Sequence, residues 1–145
     1  MSLQDKLFGF RSEKIKAEKE AGVKFLAENK SKPGVTELPN CIQYEVLKQG
    51  EGKQPKSNSM IKAHYRGCLL NGNEFDSSYK RNQPFTARLT QLIKGWQEVL
   101  PMMKEGSAWR LWIPSDLAYG DNGAGGNIPG GATLQFDVEL LQILD

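Results

Sequence analysis

The sequence is poor in the residues that enzymes commonly use as nucleophiles or metal ligands. Its 145 residues include two cysteines, Cys41 and Cys68, and one histidine, His64. Two cysteines outside a CxxC spacing indicate neither a disulfide framework nor a zinc site, so free thiols are expected. His64 has no cysteine, histidine or carboxylate at a recognised ligand spacing. We therefore interpret it as structural and predict no metal and no cofactor.

Signatures of covalent catalysis and of phosphate binding are also missing. The chain has no GxSxG, and a single histidine leaves little for a nucleophilic mechanism. The glycine-rich tract at 119–131, "YGDNGAGGNIPGG", contains neither a GxGxxG after a strand nor a GK[ST]. The tract is better interpreted as a flexible loop, and hydrolase chemistry is disfavoured.

Long hydrophobic runs and a strong excess of one charge are absent as well. The apolar runs are a few residues long, against the roughly 20 that cross a bilayer, so we expect no membrane segment. The net charge of +2 comes from interspersed lysines, glutamates and aspartates. Because a dense basic stripe is lacking, nucleic acid is not expected as a partner. A hydrophobic content of 39% suits one core.

The first part of the chain predicts a long helix. Residues 1–32 are rich in lysine, glutamate and alanine, contain no proline and carry apolar residues at near-helical spacing, which is typical of an amphipathic helix. "SKPG" at 31–34 ends it, because proline disfavours the helical state of the preceding residue. We predict a linker at 33–40 and a second domain at 41–145.

From residue 41 the pattern changes to that of strands. Segments rich in alternating, β-branched or aromatic residues lie at 42–48, 61–70, 107–114 and 132–144. Turn signals separate them, and only one short helix, near 94–100, lies among them. Without crossover helices the strands are expected to be antiparallel, in an α+β fold. We predict that Trp96 projects from the short helix into the concave face of the sheet.

Apolar rings and aliphatic side chains cluster near the turn signals of this second domain. Such residues suit a hydrophobic core as well as a ligand-binding bowl, and their spacing alone does not separate the two. The general tendency of these residue types to be buried favours the core. The set is Tyr65, Phe75, Phe85, Leu92, Ile93, Trp96, Tyr119, Ile128 and Phe136.

Four segments of the second domain help to decide between a hydrophobic core and a ligand-binding bowl. "HYRGCLLNGNEFDSSYKRNQPF" (64–85), "LIKGWQEVL" (92–100), "IPSDLAYG" (113–120) and "IPGGATLQFDVELL" (128–141) resemble, in order and spacing, the FKBP-type peptidyl-prolyl cis-trans isomerases. The resemblance spans about residues 42–144. Together with "GAGGNIP", the upstream "GVKFLAENKSKPGVTELPNCIQYEVL" is similar to the bacterial branch typified by macrophage infectivity potentiator, whose members attach an α-helical N-terminal arm.

The resemblance implies a fold and a site. The fold would be a twisted antiparallel sheet wrapped around one short helix, preceded by a long N-terminal α-helix, with the glycine-rich loop as a flap. The implied catalytic residues are Asp76, Tyr119, Ile93, through its backbone N–H, and Trp96, as the floor of a bowl. The implied substrate-binding residues are Tyr65, Phe75, Phe85, Leu92, Ile128 and Phe136.

The sequence allows two roles for Asp76, a structural one and one in the site. A carboxylate in "FDSS" could cap a turn, because aspartate bonds readily to backbone two residues on. In the bowl it would instead orient Tyr65 or stabilise polarity at the amide. It would move no proton, because rotation of an Xaa-Pro bond requires no proton transfer.

The resemblance further implies a function and partners. The expected activity is accelerated Xaa-Pro rotation in folding proteins, without covalent chemistry; the alternative is a chaperone-like module that holds proline-containing or apolar segments. Expected partners are proline-containing polypeptides, macrolides of the tacrolimus and rapamycin type, and a second copy bound through the N-terminal helix. The chain resembles only the last helix of the family's arm, so a natural short form or a truncation is expected. The compartment stays open, with the cytoplasm favoured over the periplasm.

Overall fold

The N-terminal helix, α1, spans Leu3–Asn29. The computed structural model describes the backbone of residues 3–145 and the side chains of residues 11–145. Of the helix predicted at 1–32, residues 1 and 2 therefore lie outside the described residues. The helix ends just before the "SKPG" segment, where the chain turns, as the sequence predicts.

Few of the described residues of α1 are buried. Only Gly22, Leu26 and Asn29 are buried among its described side chains, and Val23 is 70% exposed. The reason is that the C-terminal part of α1 packs against the sheet through a narrow stripe, which includes a glycine and an asparagine. A regular apolar face is not needed for this contact.

The rest of the chain forms an antiparallel sheet of seven strands, which confirms the predicted α+β class. The strands are β1 Val35–Glu37, β2 Gln43–Lys48, β3 Met60–Leu69, β4 Glu74–Ser77, β5 Phe85–Arg88, β6 Ala108–Ile113 and β7 Leu134–Ile143. Their order is β1-β2-β6-β7-β3-β4, and β5 pairs with the first part of β3. β4 pairs with the later part of β3, so the two short strands share one long edge.

The four predicted strands correspond to β2, β3, β6 and β7. The three short strands were missed. β1 lies inside the predicted linker at 33–40, and β4 and β5 have four residues each. Alternation over three or four residues is too brief to be recognised, and such strands depend on pairing with a longer neighbour.

The short helix α2 spans Lys94–Val99 and continues into a 3₁₀ turn at Leu100–Met102 that contains Pro101. Gly95 allows α2 to approach the sheet closely, because a Cβ at this position would lie 2.5 Å from Ile113 Cγ2 on β6. The glycine thus sets the depth at which the next residue, Trp96, enters the concave face.

The core lies between α2 and the concave face of the sheet. Fully buried side chains from α2 and the long strands meet there, among them Ile61, Val99, Leu111, Leu134 and Leu140. Both cysteines are free thiols, as expected. His64 packs on the outer face, with Nδ1 2.8 Å from Ser78 Oγ and its ring stacked on Tyr79 at 4.5 Å.

The described residues contain neither a candidate membrane span nor a candidate metal-binding cluster. Within residues 3–145, no helix has the length and apolar character to cross a membrane. In the same part of the chain, histidine, cysteine and carboxylate side chains form no group of three or more that could hold a metal ion.

Candidate active site

Trp96 forms the floor of a pocket between α2 and the sheet. Its side chain is 4% exposed. Three rings meet it nearly edge to face, with centroid distances of 5.4 Å to Tyr65, 5.9 Å to Phe85 and 5.4 Å to Phe136. This is the favoured geometry for aromatic pairs, so the indole is fixed by packing on several sides.

The pocket above this floor has a volume of about 250 Å³. Its wall is built by β3, β4, β5 and β7, by the segment that leads into α2, and by the loop after β6. Most of the lining is apolar, and the polar groups lie with Asp76, Gln91 and Tyr119. The lining residues are Tyr65, Phe75, Asp76, Phe85, Gln91, Leu92, Ile93, Trp96, Tyr119 and Phe136.

All but one of the site residues predicted from the sequence line this pocket. Among the described residues the exception is Ile128, which does not reach the lining. Its side chain is 8% exposed and belongs to the hydrophobic core. Its backbone pairs with Ala124 through hydrogen bonds of 3.0 and 3.1 Å. Ile128 therefore anchors the glycine-rich loop to the core and does not form the pocket wall.

A polar triad lies at the rim. The Tyr65 hydroxyl donates to Asp76 Oδ2, and Arg81 Nη1 donates to Asp76 Oδ1. Arg81 Nη2 also donates to the Tyr65 hydroxyl oxygen, at 3.1 Å. Asp76 thus contacts both partners at once. Of its two interpretations, the geometry favours the one in which the carboxylate orients Tyr65.

The triad fixes the protonation of its members. Partial burial raises the pKa of Asp76, but the hydrogen bonds from Tyr65 and Arg81, the positive charge of Arg81 and a backbone hydrogen bond from Ser77 together hold the pKa below the ordinary 3.8. Burial, followed by the hydrogen bond to Asp76, raises the pKa of Tyr65 above 10.0. At neutral pH the carboxylate is therefore an acceptor and the phenol a donor.

Tyr119 lies at the opening of the pocket, at the start of the glycine-rich loop. Its side chain is 38% exposed. Burial of the ring, followed by the negative charge of Asp76, raises the pKa of Tyr119 above 10.0. The hydroxyl therefore stays protonated near neutral pH and can donate a hydrogen bond to a carbonyl oxygen.

A backbone donor lies at the start of α2. The Ile93 carbonyl accepts hydrogen bonds from the N–H groups of Trp96 and Gln97, at 3.0 and 3.2 Å. The Ile93 N–H itself precedes the helix and has no intrahelical partner. Gln97 Nε2 donates to the Leu92 carbonyl at 2.6 Å and fixes the residue before it.

Sequence reasoning missed two residues of the site, Arg81 and Gln91. Arg81 is reached through the turn after β4, so its contact with Asp76 depends on a loop geometry that no periodicity predicts. Gln91 lies directly before Leu92 and Ile93 in the same segment. This adjacency to two predicted site residues is the sequence feature that could have identified it. Its side chain also accepts a hydrogen bond from the Arg88 N–H at 3.2 Å.

Two family models match the chain. The model described as FKBP-type peptidyl-prolyl cis-trans isomerase matches residues 51–141. A model for the domain amino terminal to FKBP-type peptidyl-prolyl isomerase matches residues 1–46. The first contains every residue that lines the pocket, and the second contains α1, β1 and most of β2.

Curated relatives agree. The chain is 49% identical over 119 residues to the peptidyl-prolyl cis-trans isomerase Mip of Coxiella burnetii. The aligned residues make up 82% of this chain and 52% of that relative. It is 44% identical over 134 residues to the FKBP-type 22 kDa peptidyl-prolyl cis-trans isomerase of Escherichia coli, and this alignment covers 92% of this chain and 65% of that relative. The chain thus spans about half to two thirds of the length of these relatives.

Solved structures share the fold. A peptidyl-prolyl cis-trans isomerase from Pseudomonas syringae superposes with a TM-score of 0.83 at 40% identity, covering 90% of this chain and 96% of that one. FkpA from Escherichia coli superposes with a TM-score of 0.92 at 34% identity, covering 97% and 65%. Fold, pocket and sequence agree, and the chain belongs to the FKBP-type peptidyl-prolyl cis-trans isomerase family.

Proposed function

We propose that this chain accelerates the cis–trans isomerisation of Xaa-Pro bonds in proline-containing polypeptides. The observation that carries the proposal is the aromatic pocket of about 250 Å³ with Trp96 as its floor. Relatives at 44% and 49% identity are named peptidyl-prolyl cis-trans isomerases, which supports it.

The reaction needs little reactive chemistry. Rotation about the peptide bond meets a barrier of about 18–20 kcal/mol, because amide resonance is lost as the bond twists. Since no covalent bond is made or broken, a catalyst has only to bind the twisted amide better than either planar form. The twisted amide is less delocalised, so an apolar site that excludes water favours it.

The lining residues suit this task. Trp96 offers an aromatic surface for the proline ring. The Ile93 N–H and the Tyr119 hydroxyl are donors for peptide carbonyls and would hold the flanking chain while one bond rotates. Asp76 is already bonded to Tyr65 and Arg81, and its role would be to hold the Tyr65 ring and the polarity of the rim.

The direct test is exchange of a short Xaa-Pro peptide measured by NMR, without a coupled protease. The parent chain is compared with Trp96→Leu and Tyr119→Phe, and with Tyr79→Phe as the control. Tyr79 is an exposed tyrosine that lies against His64 on the outer face. We expect fast exchange in the parent and the control, and slower exchange in the two pocket variants, each checked for folding by circular dichroism.

The same experiment separates the alternative function. A folded parent that binds the peptide but leaves its exchange at the spontaneous rate would contradict the isomerase and favour a chaperone-like binding module. Binding is followed by saturation-transfer NMR on the peptide. Loss of the signal in Trp96→Leu would place that binding in the pocket.

The pocket also supports a proposal about ligands. Its apolar wall and rim donors suit a macrolide of the tacrolimus or rapamycin type, which would compete with the peptide for Trp96. Titration of the exchange reaction with tacrolimus checks this. Inhibition that reaches completion supports a shared site, and undiminished exchange at saturating drug contradicts it.

A homodimer through α1 is a further proposal, and the structure limits which face it would use. Gly22, Leu26 and Asn29 are buried against the domain, whereas Val23 is exposed. A second copy would therefore contact the outward face of α1. Sedimentation velocity at high protein concentration tests it, and a single monomer boundary would contradict it.

A further inference from the structure

One stripe of α1 faces the rest of the protein along most of the helix. The residues of this stripe are three or four positions apart, so they lie on one side of the helix. The stripe consists of Arg11, Ile15, Lys19, Gly22, Leu26 and Asn29, and all six have contacts beyond α1 or are buried.

The C-terminal half of the stripe is fixed to the sheet. Asn29 Nδ2 donates to Gln43 Oε1 at 2.8 Å, and Gln43 Nε2 donates to the Leu26 carbonyl at 2.8 Å. Beside them the ring of Phe25 lies 6.4 Å from that of Trp112. These contacts set the direction in which the rest of the helix runs.

The N-terminal half reaches the glycine-rich loop. We call residues 120–131 the Tyr119 loop, because they follow Tyr119 directly. Lys19 Nζ lies 2.7 Å from Asp121 Oδ1, and Arg11 Nη2 donates to Asn122 Oδ1 at 3.1 Å. Both partners belong to the first residues of the loop.

Ile15 packs against the other end of the same loop. A Cβ at Gly131 would lie 2.7 Å from the Ile15 carbonyl oxygen, and one at Gly130 would lie 3.1 Å from Ile15 Cγ1. The Gly131 N–H donates to the Gly120 carbonyl at 2.9 Å, which closes the base of the loop. The helix therefore lies against both ends of the segment that begins at Tyr119.

We propose that Lys19 and Ile15 are positioning residues for the pocket: by holding the ends of the Tyr119 loop, they fix the place of the Tyr119 hydroxyl at the rim. The inference rests on the proposed function, because it assigns these residues an effect on isomerisation. In the part of the chain that the structure describes, the pocket lining includes neither Lys19 nor Ile15, so the effect passes through Tyr119.

The ion pair between Lys19 and Asp121 is expected to have a modest effect on kcat/KM. The side chains of Lys19 and Asp121 are 48% and 60% exposed. Exposed pairs contribute little, so we expect loss of the pair to change kcat/KM by about two- to fivefold. High salt should remove most of the difference, because it screens exposed charges.

The test is a charge-reversal cycle on the full chain. Lys19→Glu, Asp121→Lys and the double variant are compared with the parent and with Lys24→Glu, which makes the same charge change at an exposed position of α1. Two quantities are measured at low ionic strength: kcat/KM for peptide exchange, and the amide chemical shifts of Tyr119 and Gly120. Unfolding midpoints are recorded for all five proteins.

We expect each single reversal to lower kcat/KM two- to fivefold and to change the amide chemical shifts of Tyr119 and Gly120. The double variant should restore kcat/KM and these chemical shifts to the parent values. Lys24→Glu should change neither. Equal behaviour of Lys19→Glu and Lys24→Glu, or additive losses in the double variant, would overturn the inference.

The two amide shifts separate this inference from the proposed function. A parent that does not accelerate exchange refutes the isomerase activity. The shifts and their restoration then still decide whether α1 positions the Tyr119 loop. An Ile15→Ala variant tests the packing contact independently of charge. Unchanged amide chemical shifts of Tyr119 and Gly120 in that variant would count against the role of Ile15.

Discussion

The Tyr65 hydroxyl donates a hydrogen bond to the Asp76 carboxylate, which joins the middle of β3 to β4 at the rim of the pocket. The two residues are eleven positions apart and belong to strands that pair antiparallel. The Tyr65 ring in turn meets Trp96 edge to face at 5.4 Å. A carboxylate at the rim therefore holds a ring that forms part of the apolar wall.

We expect Asp76→Ala to slow isomerisation moderately without abolishing it. The substitution removes the acceptor that orients Tyr65, and hydrogen bonds to charged groups contribute about 1.5–3 kcal/mol when well formed. Asp76 is partly exposed, so a loss of roughly three- to tenfold in kcat/KM is expected. Peptide exchange by NMR measures it.

The matched control is Glu98→Ala, which removes an exposed carboxylate from α2. It should leave kcat/KM unchanged. Complete loss of activity in a folded Asp76→Ala protein would contradict the orienting role and would require Asp76 to act on the substrate directly.

The lowered pKa of Asp76 predicts how stability responds to acid. Because its pKa in the folded state lies below the ordinary 3.8, the native state binds fewer protons there than the unfolded state. The stabilisation by Asp76 is therefore fully present above about pH 5 and is lost as the pH falls through the folded-state pKa. Urea unfolding of the parent and of Asp76→Asn across this range measures the contribution.

The difference in unfolding free energy between the two proteins should stay constant from pH 7 to about pH 5 and then shrink at lower pH. A difference that grows on acidification would have the wrong sign for a lowered pKa and would refute the arrangement of the triad.

Two glycines of α1 give opposite predictions for the same substitution. A helical glycine replaced by alanine normally stabilises by about 0.5–1 kcal/mol. At Gly9 an added Cβ meets no atom of the described residues within 4 Å, so Gly9→Ala should follow this rule. At Gly22 the Cβ would lie 2.2 Å from Thr133 Oγ1, so Gly22→Ala should destabilise the docked helix.

Urea unfolding of the two variants checks the pair. Gly22→Ala should unfold at lower urea than the parent, and Gly9→Ala at equal or higher urea. If Gly22→Ala were also stabilised, the close packing of α1 on the segment before β7 would be wrong.

The sequence predicted the strands β2, β3, β6 and β7 because each extends over at least six residues, enough for a strand pattern to be recognised. α1 was recognised from its length and its composition without proline. β4 and β5 are too short for this, and they form because β3 offers them one edge. Their register, which brings Asp76 beside Tyr65, is a tertiary property that local patterns do not contain.

The site was predictable to the extent that it follows contiguous motifs. Trp96, Leu92 and Ile93 lie in one segment and were identified through the family resemblance. Ile128 lies outside the pocket lining, and its sequence position could not show this, because a branched residue beside a glycine-rich loop fits both a pocket wall and a core anchor. Arg81 was missed because its position depends on the turn after β4.

A buried pair of side-chain amides, Asn29 and Gln43, fixes α1 to the sheet. Gln43 is 0% exposed; its Nε2 donates to Leu26 and Glu37, and its Oε1 accepts from Asn29. Gln43→Leu preserves much of the volume but leaves the Asn29 amide buried without this partner. We expect a loss of roughly 2–3 kcal/mol in the free energy of unfolding, since an unsatisfied buried polar group retains its desolvation cost.

The double variant Asn29→Leu with Gln43→Leu distinguishes this cost from lost packing. Replacing both partners by apolar groups removes the unsatisfied amide, and the Leu26 carbonyl keeps its bond from the Lys30 N–H at 3.1 Å. The double variant should therefore be more stable than Gln43→Leu alone, although it carries one more substitution. Gln142→Leu, at an exposed position of β7, controls for the added leucine, and strictly additive losses in urea unfolding would refute the coupling.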